Sequence, residues 1–214
     1  MEHALPSSTL ETSSSNKLRY WLWASNIVMG LLYFRFAYTS FKFLAATPQL
    51  STIINFAFCT LAGIFLLIRR APKSESRVLI EWFSAVGGTF AVLLFRPVAG
   101  YDHVVLTTVQ IAGVCFSLTG LMSLGRSFGI VPANRGIQSH GLYRFIRHPM
   151  YAGYVVTFAC FVAQNPSPSN LLLYTSFIAF KVLRITMEEA HLSQDPKYVE
   201  MKSRVRWRLI PFVW

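Results

Sequence analysis

Two short charged clusters carry the groups in this chain that could do chemistry. The first is RHPMYAG, which places Arg147 and His148 directly before Pro149. The second is the adjacent pair Glu188 and Glu189. An arginine offers a planar fork of donors to a carboxylate or phosphate, and a glutamate accepts hydrogen bonds from amines, hydroxyls or cations. If the fold joins the two clusters, one ligand with an anion at one end and amine or hydroxyl groups at the other would fit between them.

The apolar segment between the clusters, Tyr151–Leu183, is predicted to be a helical hairpin. It is too long for one membrane crossing, and the polar stretch QNPSPSN interrupts it with two prolines, which is typical of a turn. We expect the first helix to begin at Pro149, because proline suits the first helical turn. The returning helix is predicted to be capped by Ser169 or Asn170.

The predicted helix lengths bring the two clusters to one depth. At the rise of an α-helix, the two arms measure about 27 and 31 Å, so Glu188 and Glu189 return to the level of Arg147 and His148. The helix that begins beside the first cluster also presents free backbone N–H groups to an anion. Arg184, four residues before Glu188, leaves a plainer interpretation open, an i,i+4 ion pair at a helix end.

The composition indicates a membrane protein. Of the 214 residues, 53% are apolar and only 14% are charged, which is too little charge to cover a soluble domain. Four more apolar runs are long enough to cross a bilayer: Tyr20–Ala46, Leu50–Ile68, Leu79–Phe95 and Val104–Leu124. Together with the hairpin they predict an all-α, multi-pass integral membrane protein of about six spans.

The chain is predicted to divide into three regions by composition. Residues 1–19 are rich in Ser and Thr and are predicted to be a disordered N-terminus. Residues 20–124 form a four-helix membrane region, whose first helix is a retained anchor and not a cleaved signal peptide. Residues 125–214 hold a polar loop, the hairpin and a basic, interfacial tail, and with them nearly all residues capable of chemistry.

The Lys and Arg residues alternate along the chain in a way that predicts its orientation. The net charge is +11, and most positive residues lie before the first span and after the second, the fourth and the hairpin; Arg35 and Lys42 are exceptions near the outer end of the first helix. The connections Thr47–Gln49, Pro97–His103 and Gln164–Asn170 contain no Lys or Arg. By the positive-inside rule, both termini and the charged clusters are cytoplasmic. Such residues suit attraction to anionic lipid, and because they form no separate basic domain we expect no nucleic-acid partner.

The three cysteines predict neither a metal site nor a disulfide. Cys59, Cys115 and Cys160 stand singly inside apolar segments, without metal-ligand spacing. Buried thiols of this kind usually behave as small hydrophobic side chains.

A series of motifs runs through the second half of the chain, from about Gly125 to Phe212. It comprises Gly141-Leu142-Tyr143, RHPxYxG at Arg147–Gly153, a proline-containing break, Arg184 with Glu188-Glu189 and Leu192, and a tail from Tyr198 onward. These motifs closely resemble those of the isoprenylcysteine carboxyl methyltransferases and are similar to those of the wider phospholipid methyltransferase-like membrane group. Met201 departs from the pattern, because the family often has a tyrosine there.

The resemblance implies S-adenosylmethionine as a methyl donor. The residues predicted to bind this cofactor are Gly141, Leu142, Tyr143, Arg147, His148, Pro149, Tyr151, Gly153, Glu188 and Glu189. Those predicted to be catalytic are Arg184, which matches a family position for handling the acceptor, and Glu188. S-adenosylmethionine is a zwitterion, which is the mixed ligand that the spacing of the clusters also favours. The expected acceptor is a lipid-like or hydrophobic molecule from the bilayer, of the isoprenylcysteine carboxylate type.

Two other functions compete with methyl transfer. Membrane sterol reductases have a similar C-terminal architecture but bind NADPH, and this chain is short for them. A non-catalytic membrane scaffold with a vestigial pocket is the second alternative. Within methyl transfer the sequence leaves the acceptor open among a prenylcysteine, a phospholipid amine, a small thiol and an isoprenoid acid.

Overall fold

A computed structural model describes residues 7–46, 50–72, 74–75, 79–96, 103–130 and 132–214, and this part of the chain is mostly helical. Its helices are α1 Ser7–Ala46, α2 Leu50–Leu67, α3 Leu79–Phe90, α4 Val104–Leu124, α5 Pro149–Gln164, α6 Pro168–Leu192 and α7 Pro196–Arg204. Two short strands, β1 Ser74–Glu75 and β2 Ala133–Asn134, pair antiparallel. The predicted all-α class is therefore confirmed for the described residues.

The observed helices follow the apolar runs closely, with one difference at the N-terminus. Helix α4 has the predicted bounds, α2 ends one residue early, and α3 continues as a tighter 3₁₀ turn at Ala91–Leu94. Residues 1–19 were expected to be disordered, but α1 begins at Ser7. Extending an existing helix costs far less free energy than starting one. The long apolar segment of α1 therefore supports further N-terminal turns over residues 7–19, which their Ser- and Thr-rich composition would not predict.

The hairpin forms where the sequence places it, with a different capping residue. Pro149 is in the first turn of α5, and Asn165 follows the last residue of α5. The side chain of Ser167 accepts the backbone N–H of Asn170 at 3.1 Å and caps α6, in place of the predicted Ser169 or Asn170. The buried Asn170 amide instead donates to Arg96 O at 2.8 Å, which ties the turn to the segment that follows α3 and its 3₁₀ turn.

Glycine brings α4 and α5 into close contact. A Cβ on Gly153 would collide with Ser117 Oγ and lie 2.5 Å from Gly113 O. The Ser117 hydroxyl also donates to Met150 O at 3.1 Å. Small residues on facing helices allow this approach, which is a common way of packing helices in membranes. The contact holds the N-terminal turn of α5 rigidly against α4.

Two described helical segments, Val104–Ser127 and Pro168–Leu192, are long and apolar enough to cross a membrane. Only 22% and 28% of the residues in their apolar windows are buried inside the protein, so most of these side chains face outward. An outward apolar surface fits a lipid environment better than water. The number of about six crossings stays a prediction.

The connections that carry Lys and Arg meet at one end of the helices. The loop after α2 joins the loop after α4, since Arg70 N–H donates to Arg126 O at 2.8 Å and β1 pairs with β2. The C-terminal tail reaches the same end, where Arg147 N–H donates to Trp207 O at 2.9 Å. This end contains the two charged clusters.

Candidate functional site

The carboxylate of Glu189 joins the two clusters. Arg147 donates to it through Nε at 2.7 Å and Nη2 at 3.3 Å, His148 Nε2 lies 3.1 Å away, and Arg208 Nε donates at 3.1 Å. Glu189 is only 2% exposed. The hairpin therefore places the second cluster against the first, at the depth that the helix lengths predict. The tail adds Arg208, which those lengths did not predict.

The side-chain N–H groups of Arg147 bond mainly to other groups of the protein. Beyond its two bonds to Glu189, its Nη1 donates to Val205 O at 2.7 Å and to Arg206 O at 2.8 Å. Four of its five N–H donors are thus used inside the protein. The fork of Arg147 thus bonds Glu189 with both prongs, and the predicted role of Arg147 in cofactor binding stays a prediction. Arg147 holds the tail and α6 against the start of α5.

Glu188 forms a separate group with Tyr151 and Arg184. The Tyr151 hydroxyl donates to Glu188 Oε2 at 2.9 Å, and Arg184 Nε lies 3.9 Å from the same oxygen. The Arg184 guanidinium lies 5.3 Å from the centre of the Tyr151 ring, and its Nη2 donates to Gly129 O at 3.2 Å. The Glu188 side chain is 25% exposed, whereas that of Arg184 is 5% exposed. Glu188 therefore keeps free acceptor capacity, unlike Glu189.

A polar cleft opens beside this group. It contains about 750 Å³ of empty space, counting the part open to solvent. Its lining combines cations, one carboxylate and apolar side chains, and comprises Leu124, Ser127, Phe128, Gly129, Ala133, Arg135, Gly136, Ile137, Gln138, Tyr143, Arg147, His148, Met150, Tyr151, Arg184, Glu188, Leu192, Tyr198 and Met201. Such a mixture suits a ligand that is charged at one end and has a flat or apolar part.

Six of the predicted site residues line the polar cleft: Tyr143, Arg147, His148, Tyr151, Arg184 and Glu188. The other five are outside its lining: Gly141, Leu142, Pro149, Gly153 and Glu189. Gly153 packs α5 on α4, and Gly141 has φ +59°, where a side chain would be strained. These residues shape the backbone or hold the wall of the cleft together, so a sequence motif contains them next to the residues that line the cleft. Their binding role stays a prediction.

The loop before α5 supplies lining residues that the motifs did not predict. Arg135, Gly136 and Gln138 lie in the polar stretch between β2 and the first charged cluster. Arg135 is 4% exposed, and Gly136 has φ +103°. The available signal was an arginine followed by a glycine in a polar loop, a pattern too common to indicate a site by itself.

Two tyrosines of the cleft remain neutral. Burial raises the pKa of Tyr143 and of Tyr198 well above the usual range, with the nearby carboxylates as a further cause. Their phenol groups therefore stay protonated at physiological pH and can serve as hydrogen-bond donors. The charges that line the cleft come from its arginines and Glu188.

A second cavity lies deeper between the helices and shares a wall with the polar cleft. This bundle cavity contains about 1720 Å³, again counting open space. Its lining is mostly apolar and aromatic, and residues of α1 to α6 contribute to it. The shared wall consists of Phe128, Gly129, Met150, Tyr151 and Arg184. A ligand in the cleft and one in the bundle cavity would therefore meet at Tyr151 and Arg184.

Among the described residues no group of three or more His, Cys, Asp or Glu side chains is placed to hold a metal ion. Cys59 and Cys160 are buried and Cys115 is exposed, each as a free thiol.

A comparison with protein families gives one match. The family model described as phospholipid methyltransferase matches residues 98–195. The match includes both charged clusters and the hairpin, and it ends before α7 and the tail. No curated protein matches the chain significantly.

Proposed function

Because residues 98–195 belong to the phospholipid methyltransferase family, we propose that this membrane protein transfers a methyl group from S-adenosylmethionine to a hydrophobic acceptor. The observation that carries the proposal is the wall shared by two cavities of different character. Tyr151 and Arg184 face both the polar cleft and the bundle cavity. A polar donor on one side and a lipid-like acceptor on the other could react across this wall.

The residues of the polar cleft fit S-adenosylmethionine. Glu188 accepts one bond from Tyr151 and is partly exposed, so its carboxylate can bind an ammonium or ribose hydroxyls. Arg135 supplies positive charge for a carboxylate, and Leu192 and Met201 supply apolar surface. When bound, S-adenosylmethionine would supply a methyl group activated by its sulfonium. The protein would contribute binding, orientation and exclusion of water.

Arg184 is the residue that we propose for handling the acceptor. Its Nε is buried and has no hydrogen-bond partner within the described part of the chain. An unmet donor in such a setting is costly, so a ligand oxygen would satisfy it. A carboxylate acceptor fits this donor and needs no strong base, because it is already nucleophilic when ionised. We therefore propose an isoprenylcysteine-type carboxylate as the acceptor class.

We further propose about six membrane crossings with the charged clusters and both termini on the cytoplasmic side. Two observations support this proposal. The basic connections gather at the end that carries the clusters. Most residues in the apolar windows of α4 and α6 are not buried inside the protein.

Calorimetry on the purified full chain in detergent tests whether S-adenosylmethionine is the cosubstrate that the cleft binds. We expect S-adenosylmethionine to bind and NADPH not to bind, because the cleft has one carboxylate placed for an ammonium or hydroxyl group. Binding of NADPH alone would support a reductase and overturn the proposal. Incubation of the protein with membranes and S-adenosylmethionine labelled at the methyl group should then label a lipid-soluble product. Donor binding with no labelled product would support a vestigial pocket.

A further inference from the structure

A lysine inside the bundle cavity has no part in the site described so far. Lys181 lies on α6, three residues before Arg184, and therefore about 4.5 Å farther from the charged end of the helix. It is 4% exposed and lines the bundle cavity. Ionisable residues are rare within membrane helices and usually mark a function. Its signal in the sequence, one lysine in an apolar run, also suits a side chain that reaches the interface.

The contacts of Lys181 leave its ammonium group open to a ligand. Nζ donates to Gly88 O at 3.1 Å and lies over the rings of Tyr151, Tyr154 and Phe177, at 5.4, 5.5 and 4.8 Å from their centres. No ion pair joins it to a carboxylate among the described residues. An ammonium has three N–H donors, so this geometry leaves two of them for a bound group.

The charge of the bundle cavity differs from that of the polar cleft. Its described lining contains two basic side chains, Lys181 and Arg184, and no carboxylate. Glu188 lies 3.9 Å from Arg184 and offsets its charge, but nothing comparable lies beside Lys181. In a medium of low dielectric constant, an uncompensated cation attracts an anion and repels another cation strongly.

We propose that Lys181 is a specificity-determining residue, which holds the carboxylate of an anionic amphiphile in the bundle cavity and excludes amines. Three aromatic rings around one point form a surface that binds alkylammonium groups. Here the chain's own ammonium occupies that surface, so an amine acceptor would find both its cage filled and a like charge beside it. This inference rests on the proposed role of the bundle cavity as the acceptor site. It selects a lipid-like acid over a phospholipid amine.

Binding of three chain-matched probes tests this selection without methyl transfer. N-palmitoylglycine, hexadecylamine and hexadecanol compete with a fluorescent fatty acid for the purified full chain in detergent, at about pH 6.5, where the acid, the amine and a buried lysine can all be charged. We expect the acid to bind about tenfold or more tightly than the amine, the effect of one charge-assisted hydrogen bond. Equal affinities, or a preference for the amine, would overturn the proposal.

Two variants separate charge from structure. Lys181→Gln keeps an N–H donor and loses the charge, whereas Lys181→Met loses both. We expect the ratio of acid to amine affinity to fall about tenfold in each, with hexadecanol binding unchanged. If the ratio persists in both variants, or if Met alone loses affinity for all three probes, Lys181 serves only to tie α6 to Gly88. Should neither variant fold, the wild-type comparison decides.

The outcome is independent of the methyl donor. A protein that prefers the acid but transfers no methyl group would contradict the proposed function and leave the role of Lys181 standing. A protein that methylates a lipid-like acid but binds the acid and the amine equally would contradict the role of Lys181 and leave the proposed function standing.

Discussion

The adjacent glutamates of α6 should respond oppositely to the same substitution. Glu189 accepts four bonds from Arg147, His148 and Arg208 and is buried, whereas Glu188 accepts one from Tyr151 and is partly exposed. In Glu189→Gln one oxygen becomes an NH₂ group that faces donors. At least two charge-assisted bonds are then lost, each worth about 1.5–3 kcal/mol. The total of about 3–6 kcal/mol agrees with the cost of breaking a buried ion pair.

This loss should appear as a change in stability. For a chain of this size about 3–6 kcal/mol corresponds to a fall in Tm of roughly 6–24 °C. Glu188→Gln should change Tm little, because that side chain is partly solvated. It should weaken S-adenosylmethionine binding about tenfold or more, since a carboxylate facing the cleft becomes neutral.

Thermal unfolding and calorimetry on the purified variants measure the two effects. Glu200→Gln is the matched control, because Glu200 pairs with Arg204 on the exposed surface of α7, where an ion pair is worth about 0–1 kcal/mol. The reasoning is refuted if Glu189→Gln keeps its Tm and loses only cofactor affinity. It is also refuted if Glu188→Gln unfolds as early as Glu189→Gln.

Three further predictions follow from other contacts. Arg184→Lys keeps the charge but loses the planar fork, so turnover should fall at least about tenfold while cofactor affinity and Tm stay unchanged. Normal turnover in a destabilised protein would instead make Arg184 a structural ion-pair partner. Gly153→Ala should lower the free energy of unfolding, because overpacking against Ser117 costs about 1–3 kcal/mol or more and the gain in helix propensity is only about 1 kcal/mol. An unchanged Tm would contradict the packing role of Gly153. Cysteines placed at His140 and Pro168 should be labelled from opposite sides of the membrane, and labelling from one side would exclude a spanning α5.

The sequence by itself was sufficient to predict the main helices and the family resemblance. The bounds of α4, the start of α5 at Pro149 and the break after Gln164 follow from apolar runs and prolines. These are local properties, since a run of apolar residues or a proline acts on the chain within a few residues. The RHPxYxG motif and the Glu188-Glu189 pair then predicted the family, and the phospholipid methyltransferase family model matches residues 98–195.

Only the tertiary structure decided what the neighbouring residues do. The Glu188-Glu189 pair looks uniform in the sequence, but a turn of about 100° per residue sends one carboxylate to Arg147 and the other to the cleft. The role proposed for Lys181 depends on its contacts with Gly88 and with three aromatic rings on α5 and α6. The charge and burial around a side chain depend on contacts between distant segments, and those contacts form only when the helices pack.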